Sequence, residues 1–216
     1  MRSSIEIPAI IARIAAVCAL ALGGCIETRF ESPIGDNIET CDGRWKGLWV
    51  DGPDAVFYVD DACEFIVLDQ AGQDGPLKQI HVPVNYVHAD GKDYVVIADT
   101  AVKGLADVKP PHGIVPVPEK SYFFARYKLR GDRLEMYQVD SERAAKLVVD
   151  GKLDGTVDKT QNELHVYVRG TRAKMLEIVR TQPIFDDKSI DLVRSRQTLE
   201  QYEKSLLADA AAGKAR

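Results

Sequence analysis

The stretch that decides the fold is residues 121–151, which read SYFFARYKLRGDRLEMYQVDSERAAKLVVDG. Two runs rich in strand-favouring residues flank a tight turn at residues 130–132, which is the pattern of a β-hairpin. The apolar period then changes to that of a helix, with Ser141 as the expected N-cap and Gly151 as the expected C′ residue. A hairpin followed by a capped helix is therefore predicted.

Further runs typical of β-strands precede this hairpin. Residues 79–87, QIHVPVNYV, predict one strand in which Pro83 indicates an edge or a bulge, and residues 89–92 predict a hairpin turn. The remaining runs are AVFYV at 55–59, EFIVL at 64–68 and DYVVIA at 93–98.

The strand–helix plan returns nearer the C-terminus. The run ELHVYV at 163–168 is followed by TRAKMLEIVR, a predicted helix with Thr171 as its cap, and the tail from Thr198 to Ala211 also favours helix. Strands come first and helices late, so we expect the α+β class. The prediction is a largely antiparallel sheet of about six to eight strands, followed by two or three helices.

The N-terminus reads MRSSIEIPAIIARIAAVCALALGGC and has the pattern of an export signal. Arg2 and Arg13 bracket a basic region, and residues 14–24 form an uncharged, apolar run of about 11 residues. A bilayer-spanning helix needs about 20 residues. Residues 1–24 are therefore predicted to be a signal peptide.

The last four residues of that stretch, Leu22-Gly23-Gly24-Cys25, resemble the lipobox of bacterial lipoproteins. The resemblance implies that Cys25 carries acyl chains such as palmitate, so that the membrane is a partner through the N-terminal lipid. Ile26 rather than Asp follows the cysteine, which by resemblance to the sorting rule of Gram-negative lipoproteins favours the outer membrane, facing the periplasm. The alternative is an ordinary secretory signal cut near Gly24.

These signals predict a simple domain organisation. Residues 26–40 mix charge, Pro and Gly without periodicity, which is typical of a tether. The expected divisions are residues 1–24 for the signal peptide, 25–40 for the lipidated cysteine and tether, 41–194 for a single globular α+β domain, and 195–216 for a C-terminal helix with a frayed tail.

Cysteine usage points to one disulfide bond. Cleavage removes Cys18 and acylation uses Cys25, which leaves Cys41 and Cys63 to pair in an oxidising compartment. Such a bond would close a loop of about 22 residues and stabilise the fold by roughly 3 kcal/mol in the chain-entropy model. A metal-binding or redox pair is the alternative, although the chain contains no Cys-x-x-Cys motif.

Composition and motifs indicate no catalytic group, metal or cofactor. The net charge of −5 gives no reason to expect nucleic acid as a partner. An acidic cluster could bind a cation or act as an acid/base pair, but turn acids in solvent explain it: Asp51, Asp54, Asp60, Asp61 and Glu64. An enzyme that acts through Asp60, Asp61 or Glu64 is the third hypothesis. The histidines are interpreted as solvated or hydrogen-bonded side chains: His81, His88, His112 and His165.

Trp45 and Trp49 are the most ambiguous feature. The segment GRWKGLW at residues 43–49 resembles the opening Gly-x-Trp strand of lipocalin-like barrels, which implies a carrier of a small apolar ligand. The alternative is that both indoles pack in the core at the strand period of two, without any ligand.

The chain as a whole resembles small envelope lipoproteins of proteobacteria whose activity is unassigned. The shared features are the lipobox, the segment GRWKGLW, the strand pair at 122–140, the capped helix with Ala-Lys-Leu-Val and the GKLDG turn at 151–155. The expectation is a membrane-anchored periplasmic lipoprotein that binds a periplasmic protein, with an inhibitor or immunity-type module as one version. The alternative is the lipocalin-like carrier.

Overall fold

The computed structural model describes residues 26–36, 38–52, 54–70, 77–101, 120–161 and 163–211. Its strands are β1 (Ile26–Phe30), β2 (Ile38–Glu39), β3 (Gly47–Asp51), β4 (Asp54–Val59), β5 (Phe65–Gln70), β6 (Leu77–Val82), β7 (Asn85–Ala89), β8 (Lys92–Ala98), β9 (Tyr122–Arg130), β10 (Arg133–Gln138), β11 (Gly155–Lys159), β12 (Leu164–Val168) and β13 (Ile190–Arg194). The helices are α1 (Ser141–Val149), α2 (Arg172–Thr181) and α3 (Leu199–Ala211), and Gly43–Trp45 and Asp99–Ala101 form 3-10 turns.

The strands form a single curled, largely antiparallel sheet. Its main path runs β11-β12-β1-β9-β10-β13-β3-β4-β5-β6, while β8, β7 and β2 continue from β9 on a second path. The pair of β1 and β12 is parallel. The predicted combination of a largely antiparallel sheet with two or three helices is confirmed, since the described residues form three helices, but the expected six to eight strands are too few, because the sheet that these residues form has 13.

The strand count was wrong for two physical reasons. The predicted strand at 79–87 is interrupted at Pro83, which lacks the backbone N–H that a ladder needs, and it becomes β6 and β7. Strands β1, β11 and β13 also carry two charged residues each among their five, so their sequences look like loops.

Strand β9 lies at the centre of the sheet and is paired along both edges. It pairs with β10 on one edge and with β8 on the other, and Tyr122 at its start also pairs with Phe30 of β1. Alternate side chains point to opposite faces of a strand. Phe123 and Tyr127 accordingly enter one core, whereas Phe124 enters a second.

The two cores occupy opposite sides of β8 and β9. The first core fills the inside of the curled sheet, with side chains from β3 to β10 and from β13. The second lies between the outer face of the sheet and helices α1 and α2. Its members include Phe30, Tyr94, Val96, Val166, Leu147 and Ile178.

Local signals in the sequence correctly predicted the following turn and helix ends, with one exception. Asp90 and Gly91 have φ values of 51° and 70° in the β7–β8 turn, as the predicted hairpin requires. Thr171 caps α2, as expected. At α1 the N-cap is Asp140, and Ser141 is the first helical residue, whose hydroxyl accepts a hydrogen bond from Thr28 at 2.8 Å.

The expectation of a tether is corrected at residues 26–30. This segment is strand β1, which lies between β12 and β9, and its residues from Glu27 to Phe30 are at most 7% exposed. Charged residues alternate with Thr28 and Phe30, so the segment lacks the apolar signal of a strand. Pairing with a strand far along the chain supplies the burial that the local sequence does not indicate.

A disulfide bond joins Cys41 and Cys63, as predicted. Cys41 precedes the first 3-10 turn, and Cys63 lies in the turn between β4 and β5, where it is 1% exposed. The bond therefore ties the segment that leads into the first core to the β4–β5 hairpin, whose Cys63 belongs to the same core.

Replacing both cysteines by alanine is expected to lower the free energy of unfolding by about 3 kcal/mol, because the loop is then open in the unfolded chain. Urea denaturation of the mature protein measures the loss. Reductant should weaken the wild type by a similar amount and leave the Cys41→Ala/Cys63→Ala variant unchanged. Equal stability of the variant and the oxidised wild type would contradict a structural role for the bond.

Candidate functional site

The two tryptophans lie in the first core. Both side chains are 0% exposed, and their ring centroids are 6.5 Å apart. The indole N–H of Trp49 donates to the backbone oxygen of Trp45 at 2.6 Å. Trp45 also contacts four more rings, with centroids 4.7–5.9 Å away: Phe57, Phe65, Tyr86 and Tyr127.

This packing assigns Trp45 and Trp49 to the core and not to a ligand surface. The sequence suggested that both residues lie on one extended strand, but Trp45 belongs to a 3-10 turn and β3 begins two residues later at Gly47, whose φ is 116°. The indoles nevertheless reach the same core. The inside of the curled sheet is filled by aromatic side chains at this point.

A buried carboxylate, Asp42, lies beside this aromatic cluster. It caps the 3-10 turn by accepting the backbone N–H of Arg44 at 3.1 Å, and the Arg44 guanidinium donates to the same carboxylate at 2.7 Å. The Tyr127 hydroxyl donates to it at 2.9 Å. Burial alone would raise the pKa of Asp42, but these hydrogen bonds outweigh it and hold the pKa below its ordinary value.

Every histidine in the described ranges contacts a carboxylate. The ring nitrogens of His81, His88 and His165 lie 3.0, 2.6 and 3.0 Å from oxygens of Glu64, Asp93 and Glu27 respectively. The interpretation of these three as hydrogen-bonded side chains is therefore confirmed. His112 falls outside the described residues.

The pair of His81 and Glu64 has a third neighbour, Asp60. One potential ligand atom from each of the three lies within 4.8 Å of the others, so the group has donors that could hold a divalent cation. However, Asp60 already accepts the backbone N–H of Glu64 at 2.9 Å and so closes the β4–β5 turn. These internal contacts account for the arrangement without an ion.

Sequence reasoning missed that grouping because it depends on strand register. Residue 81 is 17 positions from residue 64, and the β5–β6 ladder brings them together by pairing Ile66 with His81. Asp61, by contrast, has a fully exposed side chain in contact with Lys46, as expected of a turn acid in solvent.

Sequence reasoning also missed a second cluster of buried charged side chains, which lies on the β1–β12 part of the sheet. The Arg29 guanidinium is 3.0 Å from Glu27 and 2.9 Å from Asp99, and it lies over the Phe123 ring at 5.3 Å. Burial raises the pKa of Glu27, although Arg29 and the hydrogen bond from His165 oppose the rise. A buried carboxyl against an imidazole can hold or pass a proton.

This charged group is held by the same ladder that positions β1. Glu27 is directly opposite His165 in the parallel register, and Arg29 is opposite Tyr167. The two carboxylates neutralise a guanidinium that is 2% exposed, which is the condition under which a charge is tolerated inside a protein. The contacts of this charged group hold β1 in the sheet, which is a structural role.

Comparison with known proteins adds no family to this picture, since no family model, curated protein or solved structure matches the chain. In the part of the chain that the structure describes, none of the helices has both the length and the hydrophobicity needed to cross a bilayer.

Replacing Asp42 by Asn is expected to cost about 2 kcal/mol of unfolding free energy at neutral pH, because Arg44 and Tyr127 lose a charged acceptor. A carboxylate with a lowered pKa stabilises the fold above its unfolded pKa and loses that effect as the pH falls through the folded pKa. The difference from wild type should therefore be constant at neutral pH and shrink as the pH falls below 3.8.

Urea midpoints measured across this pH range provide the check. Asp61→Asn, which changes a fully exposed side chain, is the control and should leave the midpoint unchanged at every pH. A loss in Asp42→Asn that stays constant below pH 3.8 would show that packing, and not charge, is responsible.

Proposed function

We propose that this protein is a lipoprotein of the cell envelope, held on the outer membrane by acyl chains on Cys25 and facing the periplasm. The observation that carries the proposal is the sequence at residues 22–25, where an apolar leader ends in Leu-Gly-Gly-Cys. The disulfide between Cys41 and Cys63 supports it, because such bonds persist in oxidising compartments and are rare in the cytosol.

The role that we propose for the anchored domain is to bind another periplasmic protein without chemical turnover. The buried carboxylates Glu27 and Asp42 are engaged by neighbouring charged or hydroxyl side chains, Glu27 by Arg29 and Asp42 by Arg44 and Tyr127. Such contacts stabilise the domain and leave recognition to its surface.

The surface charge indicates which partners are favourable. Loss of the leader removes Arg2, Arg13 and Glu6, so the net charge changes from −5 to −6. An acidic surface attracts basic partners and disfavours acidic ones. An inhibitor or immunity-type module that binds a basic enzyme acting on the cell wall is the version that this charge supports best.

The lipocalin-like carrier gains little support from the fold. The curled sheet resembles the wall of a barrel, but its inside holds a packed core of apolar side chains, with Trp45 and Trp49 among them. The function proposed here is therefore the protein-binding one.

Lipidation is tested by labelling cells with radioactive palmitate and isolating the envelope. Wild type should be labelled and found in the membrane fraction, whereas Cys25→Ala should be unlabelled and soluble. Cys18→Ala is the matched control, since it changes a leader cysteine preceded by Ala-Ala-Val, and it should be labelled like wild type. Label in Cys25→Ala, or none in wild type, would overturn the anchor.

Partner binding is tested by chemical crosslinking in intact envelopes, followed by capture of the tagged full-length protein and mass spectrometry. Wild type should capture a basic periplasmic protein, and the yield should fall at high salt because screening weakens the attraction. Capture that does not rise above background, or that high salt leaves unchanged, would contradict the binding role.

A further inference from the structure

We propose that the domain has no tether and sits directly on the membrane surface, with the sheet end that carries Ile26 against the lipid headgroups. The lipid surface is thus the partner of this end of the fold. The inference rests on the lipidation of Cys25 proposed above and adds the orientation and distance of the domain, which lipidation alone leaves open.

The first step is the distance along the chain between the proposed lipid attachment and the folded sheet. Consecutive Cα atoms are about 3.8 Å apart, so the residue that would carry the acyl chains is one peptide unit from Ile26, the first residue of β1. A flexible tether of 15 residues would instead give an end-to-end distance of roughly 20 Å. The folded sheet therefore begins where the lipid attachment ends.

The second step is that β1 is firmly held. All five of its residues pair in register with β12, from Ile26 with Leu164 to Phe30 with Val168. The Phe30 ring stacks on Phe124 with centroids 4.0 Å apart. Peeling β1 away to make a tether would expose this ring to water.

The charges on β1 add to that cost. Arg29 and Glu27 are 2% and 7% exposed and pair with each other, with Asp99 and with His165. Withdrawing β1 would leave partly buried carboxylate and imidazole groups without these partners, and breaking a buried ion pair is strongly destabilising. The strand should remain in the sheet while the lipid is in the bilayer.

The third step identifies which end faces the membrane. β12 is parallel to β1 and starts beside Ile26, whereas β11 is antiparallel to β12 and ends at Lys159, opposite Leu164. The turn after β11 therefore lies at the same end as Ile26. The segment before β11, which contains Lys152, lies at the opposite end, at least about 13 Å away along the strand.

The exposure of Ile26 fits this placement. Among the described residues it is one of four large apolar side chains that are exposed, at 51%, although the next four residues are buried. An apolar side chain beside an acylated cysteine can enter the interfacial region of the bilayer, and its burial there adds to the anchoring by the acyl chains.

The orientation is tested with fluorophores at the two ends of β11. Gln161→Cys and Lys152→Cys replace exposed residues and form a matched pair. Their thiols are the ones open to a maleimide label, since Cys41 and Cys63 are bonded and Cys25 is acylated in the proposed protein. The lipidated protein is reconstituted into vesicles of phosphatidylethanolamine and phosphatidylglycerol that contain a lipid with a quencher on its headgroup.

The expected result is quenching several times stronger at position 161 than at position 152. Insertion of a ten-residue Gly-Ser linker between Cys25 and Ile26 should remove most of that difference while the protein stays on the vesicles. Equal quenching at both positions without the linker would overturn the inference, and so would a difference that the linker leaves unchanged.

Failure of the inference and failure of lipidation give different results. If Cys25 is not acylated, the labelled proteins carry no palmitate and do not float with the vesicles. If it is acylated and the domain moves on a flexible segment, the proteins float and both labels are quenched alike. Matching circular dichroism spectra of the variants confirm that neither label disturbs the fold.

Discussion

Strand β9 has to be buried on both faces, and the rest of the fold is arranged to satisfy that requirement. Phe123 and Tyr127 project to one side and Phe124 to the other, each at most 3% exposed. A strand whose two faces are both apolar cannot face water on either side. The curled sheet covers the first face, and α1 and α2 with β1 and β12 cover the second.

The position of β1 follows from this arrangement. Phe30 covers Phe124 on the helix side of the sheet, while Arg29 lies over the ring of Phe123 on the opposite side. The N-terminal strand thus completes the surroundings of β9 on both faces. A segment with such a role cannot serve as a flexible spacer. The proposed acyl chains on Cys25 are therefore attached directly to the folded sheet.

The sequence predicted the features that depend on neighbouring residues. The Asp90-Gly91 turn needs positive φ angles, Thr171 supplies a side-chain acceptor for a helix N-terminus, and two cysteines remained to pair. The turn and the cap are each signalled by a few adjacent residues, and the disulfide is signalled by the number of cysteines left to pair. They were enough to predict the mixed class of the fold.

The remaining features depend on contacts between distant residues. β1 is paired with a strand 138 residues away, and the contact between Glu27 and His165 results from that register. The grouping of Asp60, Glu64 and His81 depends in the same way on the β5–β6 ladder. Charged residues at alternate positions concealed β1, because such a pattern is equally typical of a loop until its partner strand is known.

Amide hydrogen exchange at residues 26–30 of the mature protein tests the central claim most directly, since it distinguishes a strand from a tether. Because β1 pairs along its whole length with β12, its ladder amides should exchange about as slowly as those of β12, with protection that approaches the global stability of the domain. Exchange at the rate of an unstructured peptide in this segment, with β12 still protected, would contradict the claim that the fold begins beside Cys25.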